Sequence, residues 1–111
     1  MSIDLEGLRQ LLKSTNYPVF RDTAPKNQKY PYIVYSFVSE TQKVASGRIF
    51  KYMPLYQISL FTTGTESDFR VISKAFDEKQ VTISDVASII GDENDDTVTN
   101  YYSYVRCIEN G

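Results

Sequence analysis

Few residues in this sequence could carry out catalysis. Histidine, the commonest general base and a common metal ligand, does not occur in the 111 residues. A serine nucleophile would therefore need a lysine as its base, and no sequence context pairs the two. Gly64 and its neighbours match neither of the common glycine-rich phosphate-binding patterns, and no pair of carboxylates stands out for glycoside hydrolysis. We therefore predict that the chain is not an enzyme.

The single cysteine, Cys107, lies in an apolar, tyrosine-rich run. This context is typical of a buried and inert thiol. One cysteine allows neither an intramolecular disulfide nor a multi-cysteine zinc site, and it suits a reducing cytoplasm. No cofactor is predicted.

The acidic run after Gly91 is the one candidate metal site in the sequence. It contains Asp92, Glu93, Asp95 and Asp96. A calcium loop of the EF-hand type alternates Asp and Asn and ends in glutamate, and that pattern is missing here. The run therefore favours a solvated acidic turn without a metal, and a negative patch used in assembly is the alternative.

Composition and charge narrow the classes of partner. The net charge of −2 gives no basic footprint for a nucleic-acid backbone. No stretch approaches the roughly 20 apolar residues of a membrane span, and the N-terminus does not resemble a signal peptide. The length fits one domain, which we assign to residues 1–111. We expect neither sequence-specific nucleic-acid binding nor a membrane partner.

Basic residues flank the part of the chain with the strongest strand signal. Lys43, Arg48 and Lys51 either keep exposed strands from unwanted edge pairing or form a contact surface for an acidic partner. The nine tyrosines and six phenylalanines, without tryptophan, are typical of a strand-rich fold. Tyrosine is also enriched at protein interfaces, so some of these side chains are candidates for a contact surface.

The first half of the chain reads as a helix followed by strands. Leucines at helical spacing predict a helix from Ser2 to Ser14, with Ser2 as its cap. A short strand is predicted at Val19–Arg21. Two long strands, Pro31–Ser39 and Arg48–Thr62, should pair as a hairpin arm (about 31–62) that extends beyond the body, joined by a polar connection at Glu40–Gly47. The first should be a central strand, and Pro54 predicts an edge, a bend or a bulge.

The second half begins with the clearest helix. It should run from Thr65, capped with the help of Asp68, to about Glu78. Three further segments follow: a short strand at Gln80–Ile83, a helix or strand at Val86–Ile90, and a closing strand at Tyr101–Ile108. This order predicts an α+β two-layer sandwich, with a mostly antiparallel sheet of about four to five strands and two helices packed on one face.

Four segments together resemble a known family. They are the opening leucine helix (Leu5 to Leu12), "YPYIVYSF" (Tyr30 to Phe37), "PLYQISLFTTGTESDF" (Pro54 to Phe69) and "YYSYVRCIE" (Tyr101 to Glu109). The layout is similar to the small tail-completion proteins of long-tailed bacteriophages and prophages, which include tail terminators and tail-to-head joining proteins. The stretch from Thr82 to Asn100 matches nothing in that family.

The resemblance implies an α/β subunit of a ring, typically of six copies, in the virion at the head–tail junction. Such a ring stops growth of the tail tube and docks on the filled head, so its partners are other copies of the chain, the tail-tube protein and a head-completion protein. Before assembly it would lie in the host cytoplasm. No catalytic residue comes with the resemblance.

Two sets of residues are candidates for the contacts and the lumen of such a ring. The first is a subunit or docking interface, and its members are Tyr35, Lys43, Arg48, Lys51, Tyr52 and Tyr56. The second is an acidic loop facing the lumen, formed by Asp92, Glu93, Asp95 and Asp96. Two other functions stay open: a head-completion protein on the portal side, and a small non-enzymatic adaptor that binds a host protein through its tyrosine-rich sheet.

Overall fold

Residues 2–110 are described by a computed structural model, in which two helices pack on one face of a mostly antiparallel sheet. The elements in chain order are α1 Leu5–Lys13, β1 Val19–Arg21, β2 Tyr32–Ala45, β3 Arg48–Thr62, α2 Arg70–Glu78, β4 Ala87–Ile90, β5 Thr99–Arg106 and β6 Glu109–Asn110. The strand order is β1-β2-β3-β5-β4, β6 pairs with β3, and only β1 and β2 are parallel. The predicted α+β two-layer fold is confirmed, with six strands instead of four to five.

Helix α1 begins later than its sequence suggested. The Asp4 carboxylate accepts the Gly7 N–H at 2.7 Å, so Asp4 is the cap, and the prediction that Ser2 caps a helix starting there was wrong. Asp satisfies a free N–H of the first turn and also suits the positive end of the helix dipole. The predicted leucine stripe is confirmed, because Leu8 and Leu12 are fully buried.

The core lies between the two helices and the sheet face they cover. Ile33 on β2 pairs with Leu60 on β3, and both side chains point to this face with no exposed surface. From α2, Ile72 and Phe76 pack into the same cluster. Because side chains alternate along a strand, every second residue of β2 and β3 faces the helices over this length.

The arm, residues 36–53, is the part of the β2–β3 hairpin beyond the helices. Ser46 and Gly47 connect the strands with positive φ angles of 53° and 75°, the conformation of a two-residue type I′ turn. The antiparallel pairing of the two strands and the bounds of β3 are confirmed. Strand β2 continues to Ala45, however, so the polar connection predicted at Glu40–Gly47 shrinks to this turn.

Pro54 sits at an irregularity in the sheet, as predicted. The register between β2 and β3 shifts between Phe37 and Ser39, which places a bulge beside the proline's partner Glu40. On its other side the Pro54 carbonyl accepts the Cys107 N–H at 2.8 Å, between the end of β5 and the start of β6. A residue that cannot donate to a ladder is thus placed where both neighbouring strands are interrupted.

Three sequence predictions in the second half need correction. The Asp68 carboxylate accepts the Thr62 hydroxyl at 2.7 Å, and Thr65 makes no side-chain capping bond. Residues 80–83 form no strand, because Val81 donates to the Phe76 carbonyl and so ends α2. The closing strand runs from Thr99 to Arg106, two residues earlier at both ends than predicted. Residues 87–90 form strand β4, which is one of the two alternatives predicted for this segment.

Candidate assembly surfaces

The predicted docking residues separate into a buried pair and an exposed group. Tyr35 and Tyr56 are only 4% and 5% exposed, and their rings meet edge to face with centroids 6.4 Å apart. They share the helix-covered face with Ile33 and Ile58, because all four occupy equivalent positions of the strand alternation. Both tyrosines therefore belong to the core, and their placement on a docking surface is corrected.

The other four predicted interface residues lie on the arm. Lys43 and Lys51 are directly opposite each other on the two strands, and Arg48 follows the turn. Like charges in directly opposed positions destabilise a hairpin slightly. Within residues 2–110, neither lysine nor Arg48 forms an ion pair. Tyr52 is partly buried, between Gln42 on one side and Glu109 on the other. The arm thus carries positive charge that the fold itself does not neutralise.

Exposed apolar side chains accompany these charges. Phe37, Val44 and Phe50 are each at least half exposed, and Val38 and Ile49 are also open to solvent. Strand β1 pairs only with Ile33–Tyr35, so among residues 2–110 the outer edge of β2 has no neighbouring strand along the arm. Exposed apolar residues beside an unpaired strand edge are typical of a surface that a partner covers.

The acidic loop lies between β4 and β5 and is folded by its own carboxylates. Asp92 accepts the Asn94 N–H at 2.9 Å, and Asp95 accepts the N–H and the hydroxyl of Thr97 at 3.0 and 2.6 Å. These two bonds hold the pKa of Asp95 below its ordinary value. In the chain from 2 to 110, no group of three or more potential ligands is arranged to hold a metal ion. Glu93 and Asp96 are left exposed.

Beside this loop, strand β4 forms an apolar edge of the sheet. Ile89 and Ile90 are 54% and 75% exposed, and they line an open groove of about 710 Å³ with Asp92, Glu93 and Asp96. Sequence reasoning missed this surface because it did not settle whether residues 86–90 form a helix or a strand. The adjacency of Ile89 and Ile90 to the acidic run was the available signal.

The arm and the acidic loop lie at opposite ends of the molecule. Strand β3 begins at Arg48 beside the arm's turn and ends at Thr62, which pairs with Thr99 next to the loop. Fifteen residues of strand span about 50 Å, and the longest dimension of the molecule is 52 Å. One end therefore carries three basic side chains and the other four acidic ones, each set beside exposed apolar residues.

A third surface is the sheet face that the helices leave uncovered. Tyr30 stacks on Tyr32 and Tyr32 on Phe61, with centroids 5.5 and 5.2 Å apart, and Phe20 contacts Tyr32 edge to face. The buried side-chain oxygen of Asn100, which is paired with Phe61, accepts no hydrogen bond within the described chain. This face is aromatic.

No protein-family model matches the chain, and no curated protein matches it either. Among residues 2–110, no helix has the length and apolar character needed to cross a membrane.

Proposed function

We propose that the chain is a structural subunit of a bacteriophage or prophage tail, which forms a ring at the head-proximal end of the tail tube and joins it to the head. The sequence resemblance supplies the kind of assembly. The observation that carries the proposal is the arm: it places exposed apolar and basic side chains outside the core, and within residues 2–110 its basic side chains form no ion pair.

A ring requires two different surfaces on each subunit. Contacts of one surface with the other are heterologous, and they close when the rotation between neighbours is a simple fraction of a turn. The basic arm and the acidic groove lie at opposite ends of the molecule, which supports such an arrangement. In this role the chain needs no catalytic group, and its partners are further copies, the tail-tube protein and the head-completion protein.

Two measurements test this function. Light scattering after size exclusion, over a concentration series, would show a mass near six times 12.7 kDa if the free protein forms the ring. Tails and heads prepared from the encoding phage or prophage, with this gene deleted, would then be mixed with the purified chain and viewed by electron microscopy. Rings on tail ends and restored joining to heads support the proposal. Binding to heads alone would assign the chain to the portal side.

The uncovered aromatic face favours one further candidate, a small adaptor that binds a host protein. Tyr32 and Phe61 form a stacked surface without a helix over it, and tyrosine-rich surfaces are typical of protein contacts. This candidate would gain support if the chain bound one host protein stoichiometrically and had no affinity for tails. Loss of that binding in Tyr32→Ala, with tail binding absent throughout, would establish it over the ring.

A further inference from the structure

We propose that the arm of one copy docks in the groove beside the acidic loop of the next copy. The inference rests on the proposed function, in that it names the contact through which the ring would be built. It assigns the acidic loop to the subunit contact in place of the lumen.

Charge is the first reason to pair these two surfaces. Lys43 and Arg48 are exposed near the turn of the arm, and Glu93 and Asp96 are exposed at the groove. None of these four side chains has an ion-pair partner in the described chain. Opposite charges on two surfaces steer association and fix its orientation.

Apolar complementarity is the second reason. Val44, Ile49 and Phe50 lie around the turn of the arm and are 58%, 39% and 50% exposed, while Ile89 and Ile90 are exposed in the groove. Both surfaces thus combine exposed apolar side chains with charged ones, and this combination is typical of protein interfaces. The arm is a narrow two-stranded projection, and the groove of about 710 Å³ is open to receive one.

The positions of the arm and the groove show that such a contact can form only between two copies. They lie at the two ends of a molecule 52 Å long, so a chain cannot fill its own groove with its own arm. Each contact leaves one arm and one groove free, and a further copy can add at both. Such a head-to-tail contact is heterologous, and a constant rotation between neighbours closes it into a ring.

Charge reversal with restoration tests the contact on the full chain. One variant carries Lys43→Glu and Arg48→Glu on the arm, and a second carries Glu93→Lys and Asp96→Lys at the groove. Asp92 and Asp95 are kept because their carboxylates fold the loop. A third variant carries all four substitutions. The control is Lys74→Glu with Lys79→Glu, which reverses two exposed charges of the helical layer. Self-association is measured by sedimentation at low ionic strength.

Each two-residue reversal should weaken self-association at least ten-fold, because it opposes like charges across the contact. The four-residue variant, and an equimolar mixture of the two single-surface variants, should recover to within about three-fold of the original chain, since opposite charges again meet. The control should associate like the original chain, and added salt should weaken association.

Two results would overturn the inference. One is self-association that survives either reversal or is not recovered by the four-residue variant. The other is a chain that stays monomeric up to about 1 mM. Failure of the contact is separable from failure of the function. If the charge-reversed variants still form rings on tail ends, the contact is wrong but the tail function stands. If self-association is lost and recovered as expected but the chain does not bind tails, the contact stands and the tail function is wrong.

Discussion

The same two strands build both the body of the molecule and its arm, with opposite results for burial. In the body, Ile33, Ile58 and Leu60 are fully buried. In the arm, Val44 and Phe50 are at least half exposed, although they belong to the same paired strands. The difference is the helical layer, which covers one region and not the other. Strand alternation therefore fixes which face a residue occupies, while burial depends on what covers that face.

The body and the arm therefore contribute differently to the stability of the folded chain. Burying a large aliphatic or aromatic side chain contributes about 1.5–3 kcal/mol to folding, so the body carries the stability of the chain. The exposed apolar residues of the arm contribute little of this energy in a single copy. In the proposed assembly they would gain this energy on contact with another copy, and the predictions below test that difference between body and arm.

The largest contrast should appear in thiol reactivity. Cys107 is fully buried in the body, and burial, with smaller contributions from Glu109 and Asp4, raises the pKa of its thiol from 9.0 to about 12. In Thr41→Cys, the arm thiol should react with a disulfide reagent at pH 8 at least about 1,000-fold faster than Cys107, which must wait for opening of the core. Peptide mapping after quenched labelling distinguishes the two sites.

The pH dependence of this labelling has a definite sign. Because the folded pKa lies above the unfolded one, the native thiol stays protonated between pH 9.0 and about 12 while an unfolded thiol ionises. This group therefore favours the folded state fully below pH 9.0, and that contribution is lost as pH rises through the window. Native Cys107 should remain slow at pH 10, and urea should abolish its protection. Fast labelling in the native chain would contradict the placement of Cys107 in the core.

The next contrast compares two phenylalanines of equal size. Phe76 is 1% exposed in α2, and Phe50 is 50% exposed in the arm. Phe76→Ala should lower the free energy of unfolding by about 4 kcal/mol, through lost burial and the cavity left behind. Phe50→Ala should change it by less than about 0.5 kcal/mol. Urea denaturation of both variants measures this, and equal losses would show that the arm folds as part of the body.

A smaller effect is expected where β3 leads into α2. Thr62 is 2% exposed, and its hydroxyl donates to the Asp68 carboxylate at 2.7 Å and accepts the Gly64 N–H at 3.0 Å. Asp68→Ala leaves that buried hydroxyl without its charged acceptor and should cost about 2 kcal/mol. Asp68→Asn keeps an acceptor and should cost less. Glu66→Ala, at an exposed position in the same turn, is the matched control and should be neutral in the same urea titration.

The fold could be predicted largely because its signals are local. The leucine spacing, the bounds of β3 and the stripe of α2 follow from periodicity within each segment. Tyr35 and Tyr56 were misplaced because both faces of their strands carry aromatic residues, so alternation did not reveal which face the helices cover.

The groove at β4 could not be predicted because it depends on a distant pairing. Residues 87–90 become a strand through β5, which begins at Thr99, and nothing in their own short apolar run separates a strand from a helix. The two candidate surfaces therefore differ in predictability: the arm follows from a hairpin of sequence neighbours, and the groove requires the folded sheet.

The smallest expected effect distinguishes Asp4 from Ser2 as the cap of α1. Asp4→Ala should lower the free energy of unfolding by about 1 kcal/mol, because the Gly7 N–H loses its acceptor at 2.7 Å and the first turn loses a negative charge. Ser2→Ala should have no measurable effect, since Ser2 precedes the cap by two residues. Asp4→Asn keeps the hydrogen bond and should retain most of the stability, which isolates the cap from the charge. If Ser2→Ala lowered the free energy of unfolding more than Asp4→Ala in urea denaturation, α1 would begin at Ser2, as the leucine pattern predicted. The hydrogen bond from Gly7 to Asp4 would then not mark the start of the helix.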